Sequence, residues 1–139
     1  MSVIVLDTDV LSLYQRGDPD TTSRINAHAA QELAITVITD EEELAGWYNL
    51  LRKVRDADAL ASAYQHLAEA IPVLARWQIR SMTRTSIARY QTLKSMNLNV
   101  RKMDLRIAAI VLEHAATLAT RNLRDFQRVP GLVTVDWTR

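Results

Sequence analysis

The sequence predicts an α/β fold, with a central parallel sheet flanked by helices on both faces. Two observations carry this. Apolar, β-branched runs recur at "VIVL", "LAITVI" and "LVTV", and the stretches between them place apolar residues at helical spacing. Strands that alternate with helices need crossover connections, which produce a parallel sheet buried on both sides. A chain of 139 residues, 48% hydrophobic and 24% charged, suits one domain, 1–139, with a sizeable core. No repeat, low-complexity tract or linker argues for a second.

The elements follow from periodicity and punctuation. Residues 2 to 7 read as a strand. Residues 9 to 16 read as a short helix, with Val10, Leu11, Leu13 and Tyr14 apolar, stopped by Gly17 and Pro19. A second helix fills the early twenties to Ala30. "LAITVI", 33 to 38, is a buried strand, after which Thr39 caps a helix carrying Leu44, Trp47, Leu51 and Val54. Another helical stretch runs from about Ala57 toward Trp77, with Pro72 expected to kink or split it. "QIRSM", 78 to 82, is a weaker strand candidate, followed by helices at about 84 to 96 and 104 to 115. The chain closes with a strand "ATLAT", a short turn or helix at "NLRDF", and a last strand "LVTVDW".

Composition narrows the chemistry. With no cysteine, neither a disulfide framework nor a thiolate metal site is available, and the three histidines, His28, His66 and His114, lack ligand spacing. Any metal must be held by oxygen. The start, "MSVIVLDTD", lacks a basic leader, and no apolar run reaches the length of a membrane span, so a cytoplasmic, soluble chain without a membrane partner is expected. Net charge is only +1, yet no Asp or Glu occurs between Glu69 and Asp104, where Arg76, Arg80, Arg84, Arg89, Lys94, Arg101 and Lys102 all fall. Such a segment is either a solvated helix surface or a phosphate-facing one. Arg80, Arg84, Arg101 and Lys102 are its candidate nucleic-acid contacts.

The acids are placed more pointedly. Asp7 closes the first strand, Asp40 to Glu43 follow the second, and Asp125 lies just past "ATLAT". Asp104 opens a helix that feeds "ATLAT" and must run antiparallel to it, so its start lies at the same edge. Four groups of carboxylates therefore converge on one rim of the sheet. Two carboxylates about 4 Å apart repel by roughly 4 kcal/mol at an effective dielectric near 20. Protons or a cation must relieve that, and hard oxygen ligands suit Mg²⁺ or Mn²⁺, which can polarise a phosphoryl oxygen and activate water. Each acid also has a purely structural use. Asp9 suits a helix N-cap better than Asp7 does, Thr39-x-x-Glu42 has the form of a capping box, and Asp125 could end a turn. Helical phase leaves open which acid of the 40–43 cluster points inward. Asp104 heads an apolar stripe of Ile107, Ala108 and Val111, which aims it at the interior.

These residues also resemble a known family. "LDTDVLS", Glu42 in an E-x-x-x-G spacing ending at Gly46, "MDLRIAAIVLEHAATLATRNLRDF" and "VPGLVTVDW" look like the PIN-domain ribonucleases of the VapC toxin type. The likeness spans nearly the whole chain and is most specific in the opening strand and the C-terminal block. It implies a three-layer PIN-like fold and a catalytic quartet of Asp7, Glu42, Asp104 and Asp125. Within it, Asp7 and Asp104 match metal ligands for Mg²⁺ or Mn²⁺, and Thr8, Asp9, Thr120 and Asn122 match polar supporting positions. It also implies an endoribonuclease acting as the toxin of a toxin–antitoxin pair, a homodimer, and a cognate antitoxin that neutralises it. The chain departs from the family pattern at Asp9, where Asn is frequent, at Ala115, where Gly often ends the helix, and at "QIRSM", which replaces a more apolar strand.

Two other functions fit parts of the pattern. A PIN domain with weak catalysis could serve as an RNA- or protein-binding module. A strand ending in D-x-D also opens phosphatases of the haloacid dehalogenase type, with the first Asp as nucleophile. The chain lacks the cap-sized length and the later lysine and acidic pair of that class.

Overall fold

The computed structural model describes residues 3–139. Strand β1 (Ile4–Leu6) leads into α1 (Thr8–Gln15) and α2 (Pro19–Asn26), and a 3-10 turn at Ala30–Glu32 enters β2 (Leu33–Thr36). Then follow α3 (Val37–Lys53), α4 (Ala57–Ala75), β3 (Gln78–Arg80), α5 (Arg84–Ser95) and α6 (Lys102–Glu113). The chain ends with β4 (Thr117–Ala119), α7 (Leu123–Phe126) and β5 (Val133–Val135). Ser2, expected in the first strand, lies outside the described residues.

All strand pairs are parallel, in the order β3-β2-β1-β4-β5. The chain moves outward from β1 to β2 and β3, then returns to the other side of β1 for β4 and β5. The connections leaving β1 and β4 thus diverge, and the crevice beyond their carboxyl ends is the switch point where open α/β sheets bind ligands. Because side chains alternate along a strand, both faces must be apolar. Val5, Ala34 and Leu118 pack with Tyr90, Leu93, Ile107 and Val111 of α5 and α6. Leu6, Ile35 and Ala119 pack on the other side with Val10, Leu11, Ile25 and Leu74 of α1, α2 and α4.

Several boundaries differ from expectation, each for a local reason. Val37 and Ile38 prolong the β-branched signal, yet α3 already begins at Val37, because Thr36 is extended and accepts a hydrogen bond from the Thr39 amide at 3.3 Å. Thr39 is therefore not the cap, and Thr39-x-x-Glu42 is not a capping box. Asp7 rather than Asp9 caps α1, accepting from the Thr8 amide at 2.9 Å. The second helix stops at Asn26, short of Ala30, and α4 runs through Pro72 without being split. At the end of α6, Ala115 stands at φ 49°, in the left-handed region. Its amide bonds the Leu112 carbonyl and that of Ala116 bonds the Val111 carbonyl, the paired closure that usually recruits glycine.

Candidate active site at the sheet switch point

Asp7 sits where β1 becomes α1, and its backbone amide bonds the Ala119 carbonyl of β4 at 2.9 Å. Its carboxylate is 5% exposed. One oxygen accepts from the Thr8 amide at 2.9 Å and the other from the Thr120 hydroxyl at 2.8 Å. Each oxygen keeps a lone pair that these bonds do not use. Burial, followed by the nearby charge of Asp9, pushes the Asp7 carboxyl up to about 7, against the lowering effect of its two hydrogen bonds. Asp104 adds to the rise. The Asp9 carboxyl is also raised, chiefly by burial, and its Oδ1 is shut off from solvent with no hydrogen-bond partner.

Hydrogen bonds extend from Asp7 in both directions. The Thr8 hydroxyl donates to Glu42 at 2.8 Å, so in its 2.9 Å contact with Thr39 it must be the acceptor. Glu42 thus enters the site, whereas Glu41 is exposed and lines a separate cavity with Ile87 and Tyr90. On the other side, the Thr120 hydroxyl accepts from the Asn122 amide at 3.0 Å, and the Asn122 side chain donates to Asp125 at 3.1 Å. Asp125 also pairs with Arg128 at 3.2 Å. Among the described residues, its link to Asp7 runs through this relay. Thr8, Thr120 and Asn122, expected as supports, are the residues that join the acids.

Asp104 arrives from the first turn of α6 and is 3% exposed. Arg101 grips it with a two-pronged ion pair, Nε and an outer nitrogen each at 3.1 Å from a carboxylate oxygen. Of the basic candidates, Arg101 is the one the fold brings among the acids. Arg84 starts α5 and Lys102 starts α6, both exposed, while Arg80 ends β3 with its Nε shut from solvent and unpaired. Reasoning from sequence passed over Arg121 and Thr39. Arg121 sits between two named supports and its charge lowers the Asp9 pKa against burial. Thr39 was read only as a cap.

The donor chemistry fits a hard divalent cation. Asp7 and Asp104 are buried oxygen donors without competing His or Cys, and Asp9 holds an orphaned buried oxygen beside them. Among the described residues no three acidic or imidazole side chains close around one point. Two buried carboxylates, Asp7 and Asp104, match the one or two that Mg²⁺ takes while keeping several waters.

A parallel α/β sheet with buried carboxylates gathered at its switch point is the frame of a nuclease-like domain. The chain belongs to the PIN domain family, which matches residues 4–132. No curated protein matches it in sequence. Among solved structures it is similar to the DNA-bound VapBC from Salmonella typhimurium, with TM-score 0.78 and 21% identity over 99% of each chain. It is also similar to VapBC2 from Rickettsia felis bound to a promoter DNA fragment, with TM-score 0.75 and 23% identity over 97% of this chain and 98% of that one. A toxin–antitoxin complex from Klebsiella pneumoniae matches with TM-score 0.70 and 24% identity, over 94% and 96% of the two chains. At these identities the likeness is one of fold. Among the described residues no helix is long and apolar enough to cross a membrane.

Proposed function

We propose that this chain is a Mg²⁺- or Mn²⁺-dependent endoribonuclease, one PIN domain acting as the toxin of a toxin–antitoxin pair. The observation that supports it most is the series of hydrogen bonds that links Glu42, Thr8, Asp7, Thr120, Asn122 and Asp125 residue to residue, with Thr8 and Asn122 each engaging one neighbour through the side chain and the other through the backbone amide. Asp7 and Asp104 would hold the cation, which would supply a polarised phosphoryl oxygen and an activated water. The Thr8 amide and the Thr120 hydroxyl fix the plane of the Asp7 carboxylate and leave a lone pair on each oxygen for the cation. Glu42, oriented by Thr8, would accept a proton from an attacking water, and Asn122 and Arg128 orient Asp125. Membership of the PIN family displaces the phosphatase alternative.

Supporting the antitoxin partner, a groove of about 520 Å³ lined by Thr8, Glu42, Glu43, Trp47 and Leu50 opens beside the acids. It suits an apolar helix that also delivers a basic side chain to the carboxylates. A homodimer would use apolar surface near the sheet edge, where Ile79 and Ile87 are exposed.

The test is cleavage of a defined RNA panel in Mn²⁺ by wild type, Asp7→Asn and Asp104→Asn. Both variants should keep normal circular dichroism and lose about 100-fold or more in rate. Undiminished cleavage by both overturns the quartet. Folded wild type that cleaves no RNA leaves the binding-module reading instead.

A further inference from the structure

Arg101 stands out among the seven basic residues between Glu69 and Asp104, because it points into the acids rather than away from them. Its guanidinium meets both oxygens of Asp104, a geometry that only arginine provides among the cationic side chains. The partners differ sharply in environment, since the Arg101 side chain is 72% exposed and that of Asp104 4%. The charge therefore reaches the buried carboxylate from the mouth of the site.

We propose that Arg101 is a built-in counter-ion occupying the cation's place on Asp104, so that a divalent ion must displace it and the released guanidinium is left at the mouth of the site to bind an RNA phosphate. This rests on the metal-nuclease reading above, and the physical reasoning is direct. The fork uses one lone pair of each Asp104 oxygen and holds a full positive charge at hydrogen-bond distance from the carboxylate, so a divalent ion approaching the lone pairs that remain is repelled and the two cations compete for Asp104. If Asp104 is free in only about one molecule in ten, the apparent metal affinity is about tenfold weaker than the intrinsic one. The displaced side chain need not leave the site. It is three residues from Asp104, at the N-cap position of α6, and its exposure lets it swing outward without disturbing the core.

The experiment measures Mn²⁺ binding by calorimetry for wild type, Arg101→Gln, Arg101→Lys and Asp104→Asn, and RNA binding by the same proteins in saturating Mn²⁺ with an RNA oligonucleotide whose linkages are methylene phosphonates, which keep the charge but replace the scissile P–O bond by P–C. Arg101→Gln is expected to bind Mn²⁺ about tenfold more tightly and the oligonucleotide more weakly. Arg101→Lys, which keeps the charge but not the fork, should fall between it and wild type for Mn²⁺, and it provides the comparison if the glutamine variant fails to fold. Unchanged or weaker Mn²⁺ binding in the variants, with Asp104→Asn losing it, overturns the counter-ion role alone. Mn²⁺ binding by Asp104→Asn equal to wild type overturns the metal-site reading, and this inference with it.

Discussion

The Thr120 hydroxyl donates to Asp7 at 2.8 Å across the seam between β4 and β1, joining residues 113 apart in the chain. The same oxygen accepts from the Asn122 amide, so it is used in both directions. Thr120→Val keeps the shape and removes both bonds. Loss of a buried hydrogen bond to a carboxylate is expected to cost about 1.5–3 kcal/mol. Urea unfolding at pH 8 should show this, and Thr120→Ser should recover most of it. A valine variant as stable as wild type would mean that the relay holds nothing in place.

The raised Asp7 carboxyl carries a pH signature. With a folded value of about 7 against an ordinary 3.8, the metal-free fold holds a proton that the unfolded chain releases. Between those values stability contributed by this group falls as pH rises, and the penalty is full above about pH 7. Asp7→Asn keeps a capping oxygen and removes the charge. In EDTA it should melt above wild type at pH 8, with the difference shrinking toward pH 5. A divalent cation at about 100 times its dissociation constant should likewise stabilise wild type by roughly 2.7 kcal/mol at pH 8. Thermal melts with and without EDTA check both, and a pH-independent difference in EDTA would count against a buried, strained carboxylate.

Ala115 offers a substitution that should stabilise. Its φ of 49° costs an L residue about 1 kcal/mol that glycine does not incur, and the closing bonds of α6 are already formed. Ala115→Gly should raise the melting temperature by a few degrees with no effect on metal binding. A lower melting temperature would show that the entropy glycine adds to the unfolded chain outweighs the relief of strain.

Arg84 tests whether the basic segment follows a phosphate backbone. It is exposed at the start of α5, at the same rim as the acids. Arg84→Glu should weaken RNA binding at low salt, and the loss should shrink as salt rises. Filter binding from 50 to 300 mM salt measures it, and wild-type affinity at low salt would make this arginine a solvated surface residue.

The strand–helix alternation was legible because buried parallel strands need unbroken apolar runs, as in "VIVL" and "LAIT". Asp104 was legible because its helix carries an apolar stripe that fixes its direction. The junctions were not. At Asp7 and Asp9, and at Thr36 and Thr39, two capping residues compete within one turn, and tertiary contacts decide. Asp7 is drawn to the cap by its bonds to β4, and Thr36 reaches the amide first because β2 ends there. The grip of Arg101 on Asp104 lay three residues apart in plain sequence, yet only the placement of Asp7 and Glu42 gives it meaning.

The pairing of β1 with β4 sets an order in time. Ile4 aligns with Thr117 and Leu6 with Ala119, so one flank of β1 waits during synthesis until more than a hundred further residues have been added. β2 can cover its other edge much earlier. Until β4 docks, Asp7 has no Thr120 and α6 has no strand to follow, so a growing chain carries the acids without the crevice. Parallel pairings this distant form slowly, so the crevice between β1 and β4 is among the late features of folding, and the carboxylates are held apart from one another until it closes.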